Sequence, residues 1–384
     1  MNIAVAGCGI AGTAVGYLLA KSGHDVTILE QADRCEPIGA GILLQPSGQA
    51  VLEQFGIKDA VADLSSPVYG LEARLASGKP LIHLEYDVLD PDSYAWGVHR
   101  GLLFDRLLKL CQSTGARIRT SSRVIDYARE AERISVVMES GERVAGFDFL
   151  IATDGSRSQL REPARIRCRT VEYPYAALWA IGPCDAVTDR LYQVIDGTDR
   201  LVGLLPIGSG RCSFFWGLRA EDYQTLSSGD IDRWKAQVVE FCPQAESVLE
   251  TIVSFQQLTF ATYRHVRMQR WHADGIIFLG DAAHPSSPHL GQGVNLALED
   301  ASCFAAALAE TDTFDAACRK FETQRRSKLR YYQQLTNLLT PFFQSGSSLL
   351  GVGRNIALPW FPRVPWIYRQ MLRTLCGTKN GWLK

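Results

Sequence analysis

The chain has 384 residues, which exceeds the usual size of a single hydrophobic core, so we expect two interleaved domains. A net charge of −1 gives no whole-protein reason to expect nucleic-acid binding. The ten cysteines are dispersed, without a Cys-x-x-Cys pair or a Cys/His cluster at metal spacing, which predicts reduced thiols, no metal site and a cytoplasmic protein. No segment has about 18 unbroken apolar residues, so we expect no membrane span.

The first thirty residues predict a strand–helix–strand unit. Residues 2–6 (NIAVA) and 25–30 (DVTILE) have the composition of buried strands, and an apolar helical segment lies between them. The turn before this helix contains Gly7, Gly9 and Gly12, the spacing of a dinucleotide-binding turn. In that setting the first glycine permits a tight turn, the second lets the backbone approach a pyrophosphate, and the third lets the helix pack closely on the strand.

Glu30 ends the second strand, eighteen residues beyond Gly12. A carboxylate at this place accepts hydrogen bonds from ribose hydroxyls and disfavours a 2′-phosphate, so the pattern predicts bound FAD or NAD rather than NADP. The alternative is a glycine-rich turn without a ligand.

The middle of the chain alternates between segments with the pattern of strands and a segment with the pattern of a helix. Short strand-like pieces cover residues 69–98, and aromatic-rich strands with turn signals cover residues 172–220 and 251–262. An amphipathic helix is expected over 100–111. The predicted fold class is α/β (α+β overall), with a discontinuous Rossmann-like domain, an inserted, mostly antiparallel sheet domain and a helical C-terminal region.

Two strand-to-loop junctions place an aspartate at the end of an apolar strand. Asp154 lies in IATDGSRSQLR (151–161), where we expect a helix to begin near Arg157, and Asp281 lies in IIFLGDAAHPSSPHLGQGVNLALED (276–300). Taken alone, each junction predicts only a routine strand–loop–helix connection.

The three motifs in this order resemble the single-component FAD-dependent aromatic hydroxylases of the para-hydroxybenzoate hydroxylase type. The resemblance covers residues 1–330 in motif order. It implies an FAD-binding domain over 1–70, 98–170 and 265–335 and a substrate-binding sheet domain over 71–97 and 171–264.

The resemblance also implies roles for individual residues. The glycine turn and Glu30 would bind the ADP half of FAD, and Val124 would lie near the adenine. Arg100 would reach the flavin side, and Asp281 would bind the ribityl chain. Asp154 would serve both FAD and the nicotinamide cofactor. The implied cofactor-binding residues are Gly7, Gly9, Ile10, Ala11, Gly12, Glu30, Arg100, Val124, Asp154, Asp281, Pro288, Gly291, Gly293, Val294 and Asn295. A helix beginning near Gly291 would offer its dipole and amide donors to the reduced flavin.

The activity implied by the resemblance is hydroxylation of an aromatic or polycyclic molecule with O2 and NAD(P)H, through a flavin hydroperoxide, with NADPH as the first choice of reductant. Three alternatives stay open. The first is a hydroxylase of quinone or lipophilic precursors at a membrane surface, the second is a flavin-dependent reductase of the same superfamily, and the third is a flavin-binding redox sensor without turnover.

Candidate substrate contacts come from the inserted domain and the third motif. A flat substrate would need aromatic side chains along one wall of its site, and the predicted strands carry Trp179, Tyr192, Phe214 and Trp216. The alternative for each of these side chains is a position in the hydrophobic core of the sheet. His289, two residues before Gly291, is the candidate catalytic side chain, with the main chemistry left to the flavin.

The C-terminal region, residues 336–384, is basic and aromatic. From Thr323 to Lys384 there are ten Lys and Arg and no Asp or Glu, so residues 1–322 carry a net charge of −11. This composition resembles the C-terminal region of quinone-biosynthesis hydroxylases. It predicts peripheral contact with anionic lipid at the inner face of a membrane, closure over a lipophilic substrate, or a basic helix packed on the acidic remainder of the chain.

Overall fold

The computed structural model describes residues 1–36 and 39–382. Residues 37–38, within the predicted FAD-binding segment 1–70, and residues 383–384, at the end of the predicted C-terminal region, lie outside the described residues. The strands are, in chain order, β1 (Asn2–Ala6), β2 (Asp25–Leu29), β3 (Gly41–Leu44), β4 (Ser66–Val68), β5 (Gly70–Leu75), β6 (Pro80–Glu85), β7 (Ala95–His99), β8 (Arg117–Arg119), β9 (Val124–Glu130), β10 (Arg133–Met138), β11 (Arg143–Phe147), β12 (Phe149–Ala152), β13 (Cys168–Pro183), β14 (Arg190–Asp196), β15 (Arg200–Pro206), β16 (Arg211–Arg219), β17 (Thr259–Met268), β18 (His272–Ala273) and β19 (Ile276–Phe278). The α-helices are α1 (Ile10–Lys21), α2 (Pro46–Phe55), α3 (Lys58–Ala62), α4 (Arg100–Gln112), α5 (Tyr223–Ser227), α6 (Ile231–Phe241), α7 (Glu246–Glu250), α8 (Gly293–Ala309), α9 (Phe314–Phe343), α10 (Ser348–Ala357) and α11 (Pro365–Leu375).

A six-stranded sheet carries the glycine turn. Its order is β18-β19-β12-β1-β2-β8, and every neighbouring pair is parallel except β18 with β19. The central strands β1, β12 and β19 are almost entirely apolar and buried, as expected for a parallel sheet covered by helices on both faces. The carboxyl ends of β1, β12 and β19 lie side by side, which brings the three sequence motifs to one edge.

A seven-stranded sheet forms the second layer, in the order β17-β13-β16-β15-β14-β5-β6. Its pairs are antiparallel except β14 with β5, which confirms the predicted mixed fold with a mostly antiparallel inserted sheet. The small sheet β3-β7-β4 packs against it, where the Gly41 amide donates to Ser213 Oγ at 2.9 Å. A second small sheet has the order β11-β10-β9. Because β13 begins at Cys168 and β17 runs to Met268, both strands cross the predicted domain limits at 170 and 264.

The C-terminal region is helical, as predicted, and is held to the body of the protein. After α9 come α10, a 3-10 helix over Leu358–Arg363 and then α11. Tyr332 Oη, on α9, donates to the carbonyl of Thr374 at 2.9 Å, which fixes the end of α11. No helix of the described residues is long and apolar enough to cross a membrane. One local prediction was wrong, because turns rather than a helix follow Asp154.

Candidate active site

A cavity of about 1450 Å³ lies between the carboxyl edge of the parallel sheet and one face of the seven-stranded sheet. Single-ligand pockets usually measure about 300–1,000 Å³, so this cavity has room for a dinucleotide and a second molecule. Its lining includes parts of all three sequence motifs, the inner face of the sheet and the C-terminal helices. The described residues contain no group of His, Cys, Asp and Glu that could hold a metal ion.

The glycine turn has the geometry that its spacing predicts. Gly7 has φ +97°, and a Cβ there would lie 2.6 Å from the carbonyl oxygen of Thr153. A Cβ on Gly12 would lie 2.0 Å from the Gly7 carbonyl oxygen, so close helix packing requires glycine. A Cβ on Gly9 would meet no protein atom within 4 Å, and this residue lines the cavity together with Ile10 and Ala11. The open space at Gly9 is therefore on the ligand side of the turn.

Glu30 borders the same part of the cavity. One carboxylate oxygen accepts from the Cys8 amide at 2.6 Å and the other accepts from the Ala32 amide at 2.9 Å, so the loop fixes the carboxylate. Val124, the first residue of β9, and Arg100, the first residue of α4, also line the cavity. The wall of one cavity therefore includes all three of these predicted cofactor-binding residues.

The third motif lies across the cavity from the glycine turn. Asp281 is exposed to the cavity, and Pro288, Gly291, Gly293 and Val294 line it. Gly291 has φ +60°, and α8 begins two residues later. The N-terminus of α8 has no side-chain cap, so its first amides are available to a ligand in the cavity.

Asn295 lies behind the cavity wall rather than in it. Its side chain is fully buried and absent from the cavity wall. Its amide nitrogen donates to the carbonyls of Leu43 and Gly291, each at 3.1 Å, and its oxygen accepts from the Gln45 amide at 2.9 Å. The side chain therefore fixes the start of α8 against β3, a task for an amide with two donors and an acceptor.

Arg161 joins the second motif to the third. It is buried and donates to the carbonyls of Ala282 at 2.8 Å, Asp281 at 3.0 Å and Ser156 at 3.0 Å. The neighbouring carboxyl of Asp154 lines the cavity, and burial raises its pKa. Arg161 is the last residue of the second sequence motif (151–161), but the sequence did not predict that its side chain connects the loop after β12 to the loop after β19.

A buried ion cluster supports Asp281 from behind. Asp300 is fully buried, and its carboxylate accepts from the Gly280 amide at 3.0 Å, from His284 Nε2 at 2.5 Å and from Arg325 Nε at 2.8 Å. Burial acts to raise the pKa of Asp300, but its interactions with His284 and Arg325 outweigh burial and hold that pKa below its usual range. Sequence reasoning missed Asp300, because its partners come from two other elements.

His289 lies in the cavity wall, half-buried, with its ring 6.0 Å from that of Phe343. Its Nδ1 lies 2.6 Å from Ser287 Oγ, and its Nε2 is buried without a hydrogen-bond partner among the described residues. Burial lowers the pKa of His289 to about 4, so the ring is neutral at neutral pH.

The sheet wall corrects three of the four predicted substrate contacts. Trp179 lines the cavity and donates from Nε1 to Tyr263 Oη at 3.0 Å. In contrast, Tyr192, Phe214 and Trp216 face the opposite side of the sheet, where they pack into the core with the helices of that face. Side chains alternate between the two faces of a strand, so the cavity-facing positions are the neighbours one residue away. These neighbours in the cavity wall are Leu191, Gln193, Phe215 and Gly217.

The chain matches known proteins over most of its length. A family model described as FAD binding domain matches residues 1–337. The 3-amino-4-hydroxybenzoate 2-monooxygenase of Streptomyces cremeus is 28% identical over 335 residues, which cover 85% of this chain and 83% of that protein. An FAD-dependent urate hydroxylase of Klebsiella pneumoniae is 26% identical over 346 residues, covering 86% of this chain and 87% of that protein.

Solved structures have the same fold. The structure of Klebsiella pneumoniae HpxO complexed with FAD and uric acid superposes with a TM-score of 0.83 at 23% identity, covering 100% of this chain and 98% of that one. Pseudomonas aeruginosa PqsL in complex with 2-aminobenzoylacetate superposes with a TM-score of 0.81 at 23% identity, covering 92% of this chain and 99% of that one.

Proposed function

The chain belongs to the FAD-binding domain family and is an FAD-dependent monooxygenase of the aromatic-hydroxylase type, and on this premise we propose that it hydroxylates a flat ring held between His289 and Trp179. The observation that carries the proposal is that one continuous cavity joins the glycine turn and Asp281 to the aromatic wall of the sheet. A cofactor and a ring can therefore lie against each other without crossing solvent.

The residues around the cavity fit FAD. Bare backbone at Gly9 and Gly293 leaves open space for a pyrophosphate and a flat ring, and the carboxylates of Glu30 and Asp281 suit ribose and ribityl hydroxyls. When bound, FAD supplies the redox chemistry with electrons from NAD(P)H and with O2. Gly7, Ile10, Ala11, Gly12, Arg100, Val124, Asp154, Pro288, Gly291 and Val294 complete the proposed cofactor site.

A chain of hydrogen bonds assigns a task to His289. The Thr340 hydroxyl donates to the carbonyl of Thr336 at 2.7 Å, so its oxygen accepts from the Ser287 hydroxyl, 3.1 Å away. Ser287 Oγ must then accept from Nδ1–H of His289, 2.6 Å away. This leaves the lone pair on Nε2, which is where a substrate O–H or N–H would donate. We propose that His289 orients the ring in this way, and that it remains neutral because burial lowers its pKa to about 4.

The apolar wall has the second task of excluding water. Trp179 and Phe215 pack at a centroid distance of 5.1 Å with their ring planes tilted by 41°, and together they present an aromatic surface. Tyr263 accepts from Trp179 and keeps its own proton, because burial raises its pKa to about 12. Tyr263 is therefore a hydrogen-bond donor to a substrate oxygen. A dry site of this kind favours transfer of oxygen to the ring over loss to water.

A spectroscopic and isotopic assay tests the proposal. The FAD-loaded protein is mixed with NADPH, and separately with NADH, across a panel from phenolic acids to quinolones and prenylated phenols. We expect one ring class to accelerate NAD(P)H oxidation and to gain one oxygen-18 atom from ¹⁸O2. Product that forms without oxygen-18 would identify a reductase instead, and no turnover with any acceptor would favour a flavin-binding sensor.

We also propose that the C-terminal region contacts an anionic membrane surface. Leu349 and Ile356 are 80% and 66% exposed on one face of α10, and Trp366 is 70% exposed. The exposed Arg363 stacks on Trp360 at 4.2 Å. Exposed tryptophan beside arginine suits the headgroup region of a bilayer.

The alternative, a basic tail neutralised by the acidic remainder, has less support. Ion pairs among the described residues reach no further along the chain than Lys328, which binds Glu299. The exposed side chains of Arg363, Arg369 and Arg373 therefore have no carboxylate partner within the described part of the chain. Their charge remains available to anionic lipid, where each arginine contributes about 1 kcal/mol.

Co-sedimentation with phosphatidylserine-containing vesicles tests this contact on the full chain. The triple variant Leu349→Ser, Ile356→Ser, Trp366→Ser should pellet less than the parent protein. The control Val253→Ser changes a side chain that is 71% exposed elsewhere on the surface and should pellet like the parent. Equal pelleting of all three proteins, or binding to neutral vesicles alone, would contradict an anionic-membrane contact.

A further inference from the structure

The cavity reaches the protein surface inside the exposed apolar face of the C-terminal region. Gly353, Ala357 and Phe361 are exposed to solvent and also line the cavity. They are spaced four residues apart, so they lie along one side of α10 and of the 3-10 helix that continues it. These three residues form the rim of an opening, which we call the mouth.

The surroundings of the mouth are apolar. The residue before each rim position is a large exposed hydrophobic side chain, namely Val352, Ile356 and Trp360. An opening used by a charged, water-borne compound has no need of such a border, and large exposed apolar patches mark sites of interaction. The mouth therefore lies within the surface proposed to contact lipid.

Inside the mouth the wall is made of aliphatic side chains from two sides. The seven-stranded sheet and the C-terminal helices contribute Leu71, Ile82, Leu201, Leu205, Leu358, Ile367 and Met371. Two polar side chains near this end are engaged with the protein. The buried guanidinium of Arg354 donates to the Phe342 carbonyl at 2.8 Å and to Asn355 Oδ1 at 2.7 Å, and Gln370 Oε1 accepts from Lys379 at 2.8 Å.

We propose that this apolar end of the cavity binds the hydrocarbon chain of the substrate, and that the mouth admits a chain-bearing aromatic compound directly from the bilayer. The inference rests on the proposed hydroxylase function and adds the substrate class. With the ring between His289 and Trp179, a chain extending along the aliphatic wall would leave its end near Ala357. A compound of this kind is concentrated in lipid and scarce in water, so an entrance that faces lipid shortens its path.

A chain-length series tests the binding site. The probes are 4-alkylphenols with chains of one to nine carbons, titrated into the FAD-loaded protein and followed by the change in flavin absorbance. If the chain is buried along the wall, affinity should rise roughly fourfold per added methylene until the channel is full. Binding of 4-methylphenol and 4-nonylphenol with equal affinity would overturn the inference and leave the hydroxylase proposal standing. No flavin response to any ring compound would overturn both.

A pair of variants tests the mouth. Ala357→Trp places a large ring at the rim, and the matched control Ser348→Trp places the same ring at the exposed start of α10, away from the cavity. Transfer of 4-nonylphenol from phosphatidylserine-containing vesicles, followed by stopped-flow flavin absorbance, should slow at least tenfold in Ala357→Trp and remain at the parent rate in Ser348→Trp. Equal transfer rates in the two variants would show that the chain enters elsewhere and would refute the entrance.

Discussion

Asp300 and Asp281 are twenty residues apart and serve the same loop, yet their loss should have different consequences. Asp300→Asn preserves the shape of the side chain but replaces a carboxylate that accepts from Gly280, His284 and Arg325. An amide has one acceptor oxygen, so it cannot serve donors at both ends. Arg325 would then retain only part of its compensation, from Glu299 at 2.5 Å.

The expected loss of stability in Asp300→Asn follows from the number of buried hydrogen bonds and ion pairs that the carboxylate makes. Breaking a fully buried ion pair costs about 3–5 kcal/mol, and because Glu299 remains we expect the lower end, about 3 kcal/mol. Asp281→Asn removes a charge from a cavity-exposed side chain, so the free energy of unfolding should change by less than about 0.5 kcal/mol. FAD affinity should fall roughly tenfold in Asp281→Asn, because a charge-assisted hydrogen bond becomes a neutral one.

Urea unfolding of the FAD-free proteins, followed by tryptophan fluorescence, measures the stability, and quenching of FAD fluorescence measures the affinity. The reasoning is refuted if Asp300→Asn unfolds at the wild-type midpoint with an unchanged slope. It is also refuted if Asp281→Asn loses as much stability as Asp300→Asn, since Asp281 would then be part of the buried framework.

Three further predictions concern other parts of the cavity. Gly9→Ala should fold normally but lose FAD affinity, because the added Cβ enters open cavity space. Gly12→Ala should destabilise the fold, because the added Cβ meets a carbonyl oxygen at 2.0 Å. Melting curves with and without FAD distinguish the two effects. Burial lowers the pKa of His289 to about 4, so the unfolded chain takes up a proton before the folded protein does as pH falls. This side chain should therefore reduce stability between about pH 6.5 and 4 by at most about 3 kcal/mol, and His289→Gln should make the slope of pH-dependent urea titrations shallower. Trp179→Ala should raise KM for the ring substrate with little effect on folding. The ring of Trp216 packs 6.2 Å from that of Trp234, so Trp216→Ala should lower the free energy of unfolding by about 3 kcal/mol. The reverse pattern would contradict the sheet faces assigned to the two tryptophans.

The glycine turn could be predicted because its information is local. The spacing of Gly7, Gly9 and Gly12 specifies a backbone path, and the flanking apolar strands place that path at a sheet edge. Asp154 and Asp281 follow the same logic, since each comes two or three residues after a strand of the same sheet, and parallel strands bring their carboxyl ends together.

The substrate wall could not be predicted in the same way. Phe214, Phe215 and Trp216 are consecutive, so alternation guarantees that aromatic rings face both sides of β16. The sequence contains no signal for which side meets the cavity. That choice depends on α6 covering the other face, where Trp216 packs against Trp234. The buried position of the Asn295 side chain could not be predicted for a related reason, because its partners Leu43 and Gln45 are about 250 residues away in the chain.

The composition predicted a basic, aromatic C-terminal region but did not indicate which of its residues contact the cavity wall. Gln292, the residue before α8, donates through Nε2 to the Leu375 carbonyl at 2.7 Å, so the end of α11 holds the helix start that lines the cavity. Lys328, which pairs with Glu299 behind the same helix, also donates to the carbonyl of Gly377. The surface that we propose to meet lipid is therefore connected to the N-terminus of α8 through hydrogen bonds from the side chains of Gln292 and Lys328 to backbone carbonyls after and at the end of α11.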